Sequence, residues 1–294
     1  MSEKKPKYAV VAVHGIGKGT GDARHGFSTA LKKGVGKLNP ACEAFWFEAS
    51  WEGLNDSVDV VVKATADELL ESYIKDADEE KQRAEQSISS VNVDTGCCLC
   101  KVIKKGWVWF KRKTIGITPD ALRKVKQITP SALDAVLDLP IYLGKDKGAE
   151  IRAEVRRKIE EAMCRDVKGV VLVGHSLGSV IAFDVLQEEL KMGTDARIKA
   201  LVTLGSPLEW VFKIRNAIAG KMAVSSFDMH GTEWINYYDP QDPVPLRRAL
   251  NVEMFKGVRN EEDVSGEILI SAHCAYWKSP RIAVKVEELM RGVS

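Results

Sequence analysis

The chain has 294 residues, of which 45% are hydrophobic and 29% charged, and a formal net charge of +2. That length supports one large α/β domain or two small ones, with a sizeable core, and the near-neutral charge argues neither for nucleic acid nor for an acidic partner, so no nucleic-acid partner is expected. No uninterrupted apolar segment approaches the roughly 18 residues needed to span a bilayer, and the apolar run after the basic amino end is too short for a secretory signal, so a soluble cytoplasmic protein is expected.

The first element is the valine-rich run from Tyr8 to Val13, which reads as a buried strand. It opens into VVAVHGIGKGTG at 10–21. The Gly17-Lys18 pair suggests a phosphate loop, but Ala12 stands where the first glycine of G-x-x-x-x-G-K-[ST] belongs, and Gly19 replaces the metal-holding hydroxyl. The dinucleotide fingerprint G-x-G-x-x-G fails as well, so these glycines bring bare backbone close to something other than phosphate. A helix is expected near 23–36 and a second strand over 42–51.

Residues 52–147 change character. Their pattern is helical with acidic and basic faces, and Thr118-Pro119 and Thr129-Pro130 read as helix starts with Thr as N-cap. This stretch is expected to be a helical cap inserted into a core made of residues 1–51 and 148–294. Within it, GCCLCKVIKKGWVWFKRK (96–113) sets Cys97, Cys98 and Cys100 before basic residues interleaved with Trp107, Trp109 and Phe110. Two readings stand: a lid lying on a membrane surface with acylated thiols, or an ordinary cap with its aromatics packed inward, which is favoured. No second Cys or His pair completes a zinc site there. Cys42, Cys164 and Cys274 lie in apolar surroundings and are expected to be buried thiols.

After the insertion the alternation resumes. Helices are expected at 148–163 and 178–191, strands at 169–174, 199–205, 233–238 and 267–272, and a closing helix at 280–290. Strands alternating with helices imply a mostly parallel sheet covered on both faces.

The strand GVVLVG runs into His175-Ser176-Leu177-Gly178, so Gly174 to Gly178 spells G-x-S-x-G between a strand and a helix. That is the context of a nucleophile elbow, whose strained turn exposes the serine oxygen above the sheet. A serine needs a base, and the partners follow in the order acid, then histidine, on loops after later strands. The strand EWINYY leads into Asp239 and Asp242, and EILISA leads into His273. Asp242 is favoured as the acid because it reaches further over the sheet, with Asp239 bracing the loop. His14 and His175 sit in the glycine turns, and His25 and His230 end no late strand.

The opening glycines now have a purpose. Attack on a carbonyl creates an oxyanion that needs fixed N–H donors, one from the residue after the nucleophile, Leu177, and one from an early His-Gly loop, here at Ile16.

With VHGIG, GHSLG, TLGSPLEW (203–210), NYYDPQDPVP (236–245) and HCAYW (273–277) assembled, the chain resembles the α/β-hydrolase superfamily, closest to its lipase- and serine-esterase-like branches. The resemblance covers residues 7–51 and about 150–290. It implies an α/β-hydrolase fold, a triad of Ser176, Asp242 and His273, oxyanion donors at Ile16 and Leu177, and no metal or organic cofactor. The expected activity is hydrolysis of small-molecule or lipid carboxylic esters. A thioesterase, amidase or acyltransferase with the same triad remains open, as does a non-catalytic interaction module. The insertion matches no cap known from the resemblance, which leaves acyl and alcohol specificity open.

Overall fold

A computed structural model describes residues 5–15, 27–50, 142–143, 145–193, 197–209, 211–212, 215, 227, 229, 231–242, 244–245, 247–267 and 270–292. The cysteine-rich segment 96–113, both Thr-Pro helix starts and Ile16 lie outside the described residues, as does nearly all of the expected insertion.

Six strands form one sheet in the order β2-β1-β3-β4-β5-β6, and every neighbouring pair is parallel. They are β1 (Ala9–Val13), β2 (Trp46–Ala49), β3 (Val170–His175), β4 (Ile198–Leu204), β5 (Glu233–Tyr238) and β6 (Val258–Glu262). Among the described residues, five α-helices accompany them: α1 (Thr29–Leu38), α2 (Lys145–Met163), α3 (Leu177–Met192), α4 (Ile270–Ala275) and α5 (Pro280–Arg291).

The parity of the strand residues sorts the core into two layers, because successive side chains point to opposite faces. Val11, Val13, Val170 and Leu172 pack against Ile151, Val155 and Ile159 of α2 and Val180 and Ile181 of α3. Val10, Ala12, Val171 and Val173 pack on the other face against Leu31 and Val35 of α1 and Ile282 and Val286 of α5. A central parallel strand is buried on both faces, so β1 and β3 read as continuous apolar runs. The first two turns of α3 are buried all round, and lower down its Glu189 is buried between Arg156 and Arg197.

The expected strand at 267–272 does not form. From Ile270 that apolar run is helix α4, and the sixth strand is instead the polar VRNEE of β6. A run of six residues, four of them apolar, does not separate a buried strand from a short buried helix by pattern. β6 escapes the pattern because it is an edge strand with one buried residue in five. His273 therefore stands within a short helix rather than at a strand end. Two cysteine expectations also need correction: Cys42 is buried, but Cys164 and Cys274 are exposed. Cys164 follows the last residue of α2, beyond the stripe of that helix that faces the sheet.

Among the described residues, no helix is long and apolar enough to cross a membrane.

Candidate active site

The chain leaves β1 toward β2 on one side, then returns to the other side of β1 to make β3. The connections that leave the carboxyl ends of β1, to β2, and of β3, to β4, run to opposite sides, and the crevice at such a switch point is where open α/β sheets bind ligands. His14-Gly15 follows β1, and Ser176 follows β3. A Cβ on Gly15 would lie 2.6 Å from the His175 carbonyl oxygen and 2.8 Å from Ser176 Cβ. Gly15 and the serine turn are therefore in direct contact.

Ser176 sits between β3 and the first residue of α3 with φ 55 and ψ −130, a conformation that costs on the order of 1–3 kcal/mol for a residue with a side chain. The turn closes only with bare backbone beside it. A Cβ on Gly178 would come within 2.3 Å of the Val13 oxygen and 2.4 Å of the His14 oxygen. Leu177 opens α3, and the first N–H groups of a helix have no partner within the helix and carry its positive dipole end. Ile16, the other expected donor, directly follows Gly15 and lies outside the described residues.

The fold brings Asp242 and His273 together. His273 Nδ1 is 2.8 Å from Asp242 Oδ2, with the two side chains 2% and 0% exposed. The other Asp242 oxygen accepts the Val244 N–H at 2.9 Å, and Oδ2 also accepts the Tyr276 hydroxyl at 2.9 Å. Asp239 is oriented elsewhere. Its carboxylate accepts the Gln241 N–H at 2.8 Å and both the N–H and the hydroxyl of Ser265 at 2.8 Å. It braces the loop after β5 against the chain after β6, while Asp242 faces the histidine.

Three further residues shape the site that sequence reasoning had not singled out for this purpose. Gly205, just past β4, has φ +54, and a Cβ there would lie 2.7 Å from Asp242 Oδ2 and 2.9 Å from His273 Nδ1. Its bareness leaves room for the pair. His175 Nε2 lies 2.7 Å from the His273 carbonyl oxygen. A carbonyl only accepts, so Nε2 carries the hydrogen, and the residue before the serine thereby holds the backbone of His273. Burial, with His273 adding to it, drives the pKa of His175 well below the usual histidine value and keeps its ring neutral. Tyr276, three residues after His273, is the third. Its place in HCAYW was visible, but its partner Asp242 comes from another loop.

Aromatic rings close one side. His175 and His273 have ring centroids 4.5 Å apart, Trp277 lies 5.5 Å from His175, and Phe27 links Trp277 to His14 at 5.5 and 4.7 Å. Burial lowers His14 to a pKa of about 4, against the opposing pull of Glu48. A cavity of about 480 Å³ lies elsewhere, lined by Phe183, Phe212, Phe227, Tyr142 and the Asp184–Arg215 ion pair, and holds none of these site residues. Among the described residues, no group of three or more His, Cys, Asp and Glu is arranged to hold a metal ion.

Residues 147–228 match the family model of lecithin:cholesterol acyltransferase, a lipase/acyltransferase family of the α/β-hydrolase type. The match runs from α2 through β3, Ser176, α3 and β4. No curated protein matches the chain. The parallel sheet with its two helical layers and this match together give the chain the α/β-hydrolase fold.

Proposed function

We propose that the chain is a serine hydrolase of carboxylic esters, lipid esters foremost, working through Ser176, His273 and Asp242. The observation that carries the proposal is the buried Asp242–His273 hydrogen bond at 2.8 Å, in the same fold that holds Ser176 at positive φ on the switch point. The match to an acyltransferase family that acts on lecithin and cholesterol supports the lipid class of substrate.

In this reading Ser176 Oγ attacks the ester carbonyl while His273 Nε2 takes its proton. Asp242 keeps the hydrogen on Nδ1 and stabilises the imidazolium as it forms. The oxyanion accepts N–H bonds from Leu177 and Ile16. His273 returns the proton to the leaving alkoxide, leaving an acyl group on Ser176. Water, deprotonated by the same histidine, cleaves the acyl-enzyme and restores the serine hydroxyl. The residues present require no metal or organic cofactor for these steps.

The family match favours a second reading of the last step, in which an alcohol rather than water takes the acyl group. The two are separated by incubating a p-nitrophenyl ester with a sterol or a simple alcohol and analysing products. A new ester signals transfer, whereas free acid alone signals hydrolysis. The shared chemistry is tested by Ser176→Ala, which is expected to abolish p-nitrophenol release and leave thermal stability nearly unchanged. Retention of more than about a hundredth of the activity contradicts covalent catalysis at Ser176.

A further inference from the structure

We propose that Tyr276 is a positioning residue for this reaction, its hydroxyl fixing the Asp242 oxygen that faces His273. The inference rests on the triad reading above. The Tyr276 hydroxyl accepts the Asp239 N–H at 2.8 Å and lies 2.9 Å from Asp242 Oδ2. A backbone N–H only donates, so the one phenolic hydrogen is directed at the carboxylate. Oδ2 thus takes two donors, Tyr276 and His273 Nδ1, while Oδ1 takes the Val244 N–H. Tyr276, Asp239, Asp242, His273 and Val244 all lie in the buried interior, and Tyr276 is 1% exposed. Burial and the adjacent carboxylate hold the phenol protonated, far above its ordinary titration range.

This arrangement does two things to the acid. It ties the carboxylate to the backbone at the end of β5, so that its plane cannot swing away from Nδ1. It also draws part of the Oδ2 charge away from the imidazolium that forms during attack. Among the described residues, the groups facing the pair are few. His175 follows β3, with its ring neutral, and His14 lies beyond it. The Asp239 carboxylate is engaged by Gln241 and Ser265, and Asp263 after β6 is held by Ser279. None of these reaches Oδ2 in place of the phenol.

The test uses the full chain with Tyr276→Phe and, separately, 3-fluorotyrosine placed at position 276, which keeps the shape and strengthens the donor. The readouts are the pH profile of kcat/KM on a p-nitrophenyl ester and the rate of fluorophosphonate labelling at Ser176. Tyr276→Phe is expected to lower kcat about tenfold with little change in KM, as loss of a supporting hydrogen bond does. Its acidic limb should move to higher pH by roughly half a unit or more, because Oδ2 keeps more charge for the imidazolium. Fluorotyrosine should move that limb the opposite way, which loss of packing does not do, and its shift decides the matter if the phenylalanine variant fails to fold. A limb unmoved by fluorotyrosine, or moved in the same direction by both changes, overturns the role of Tyr276. A wild-type protein that neither hydrolyses the ester nor labels at Ser176 overturns the triad reading, and this inference with it. Wild-type labelling beside an insensitive limb overturns the Tyr276 inference alone.

Discussion

A methyl group at Gly205 probes the geometry of the Asp242–His273 pair without removing either partner. A Cβ there would lie 2.7 Å from Asp242 Oδ2, 2.8 Å from Tyr276 Cε2 and 2.9 Å from His273 Nδ1. Ordinary non-bonded approach is roughly 3.5 Å, so all three atoms must retreat by well over half an ångström. Two terms add in the folded state. Positive φ costs an alanine about 1–2 kcal/mol, and overpacking a closed site costs about 1–3 kcal/mol. Gly205→Ala is therefore expected to lose about 2–5 kcal/mol, a fall in Tm of very roughly 5–15 °C for a chain of this size. The displaced pair should lower kcat/KM on a p-nitrophenyl ester about a hundredfold, the scale set by misplacing a catalytic group by an ångström. Gly193→Ala supplies the control. It also has positive φ, +69, but nothing lies within 4 Å of its Cβ, so it should lose about 1 kcal/mol and keep its activity. Thermal unfolding and steady-state hydrolysis on both variants separate strain from displacement. Full activity in Gly205→Ala, or equal losses in the two variants, would show that the space at Gly205 does not set the Asp242–His273 geometry the reaction needs.

Asp242→Asn should lower kcat by about ten-thousandfold, because an amide no longer selects the histidine tautomer, whereas Asp239→Asn should lose about 1 kcal/mol of stability and less than tenfold in rate. The reverse ranking in steady-state kinetics would assign the acid to Asp239. Acidification should destabilise the fold through His14. Its folded pKa of about 4 lies below the unfolded value of 6.5, so the unfolded chain binds the proton first as pH falls. Stability present above pH 6.5 is then lost toward pH 4, on the order of 3 kcal/mol from this residue, with His175 acting in the same direction. Urea unfolding of wild type and His14→Asn at pH 7 and pH 4.5 should give a flatter dependence in the variant, and parallel curves would remove His14 from the account.

The elements legible in the sequence are those whose burial is two-sided. AVVAV is apolar throughout, and VVLVGH and IKALVTL are mostly so, because helices cover both faces of the central strands. The edge strand VRNEE carries no such signature, since its outer residues face water, and EILISA carries one that a short helix satisfies equally well. His273 was found through chain order, although the strand expected to present it is a helix. Ser176 was legible because the strained turn forces local glycines, at 174 and 178, that any reading of the chain encounters. Gly205, His175 and Tyr276 were not, because each works on a loop from elsewhere in the chain. Their roles follow only once β3, β4 and β5 lie side by side and their carboxyl ends converge. The exposure of Cys164 and Cys274 is of the same kind, fixed by where a helix ends and which side it turns outward.

The most direct measurement is labelling of the full chain with a fluorophosphonate, followed by mass mapping of the modified peptide. One phosphonylated residue is expected, Ser176, with labelling lost in Ser176→Ala and strongly slowed in Asp242→Asn and His273→Gln. Wild-type protein that stays unlabelled, or labelling that persists in Ser176→Ala, would contradict covalent catalysis at Ser176.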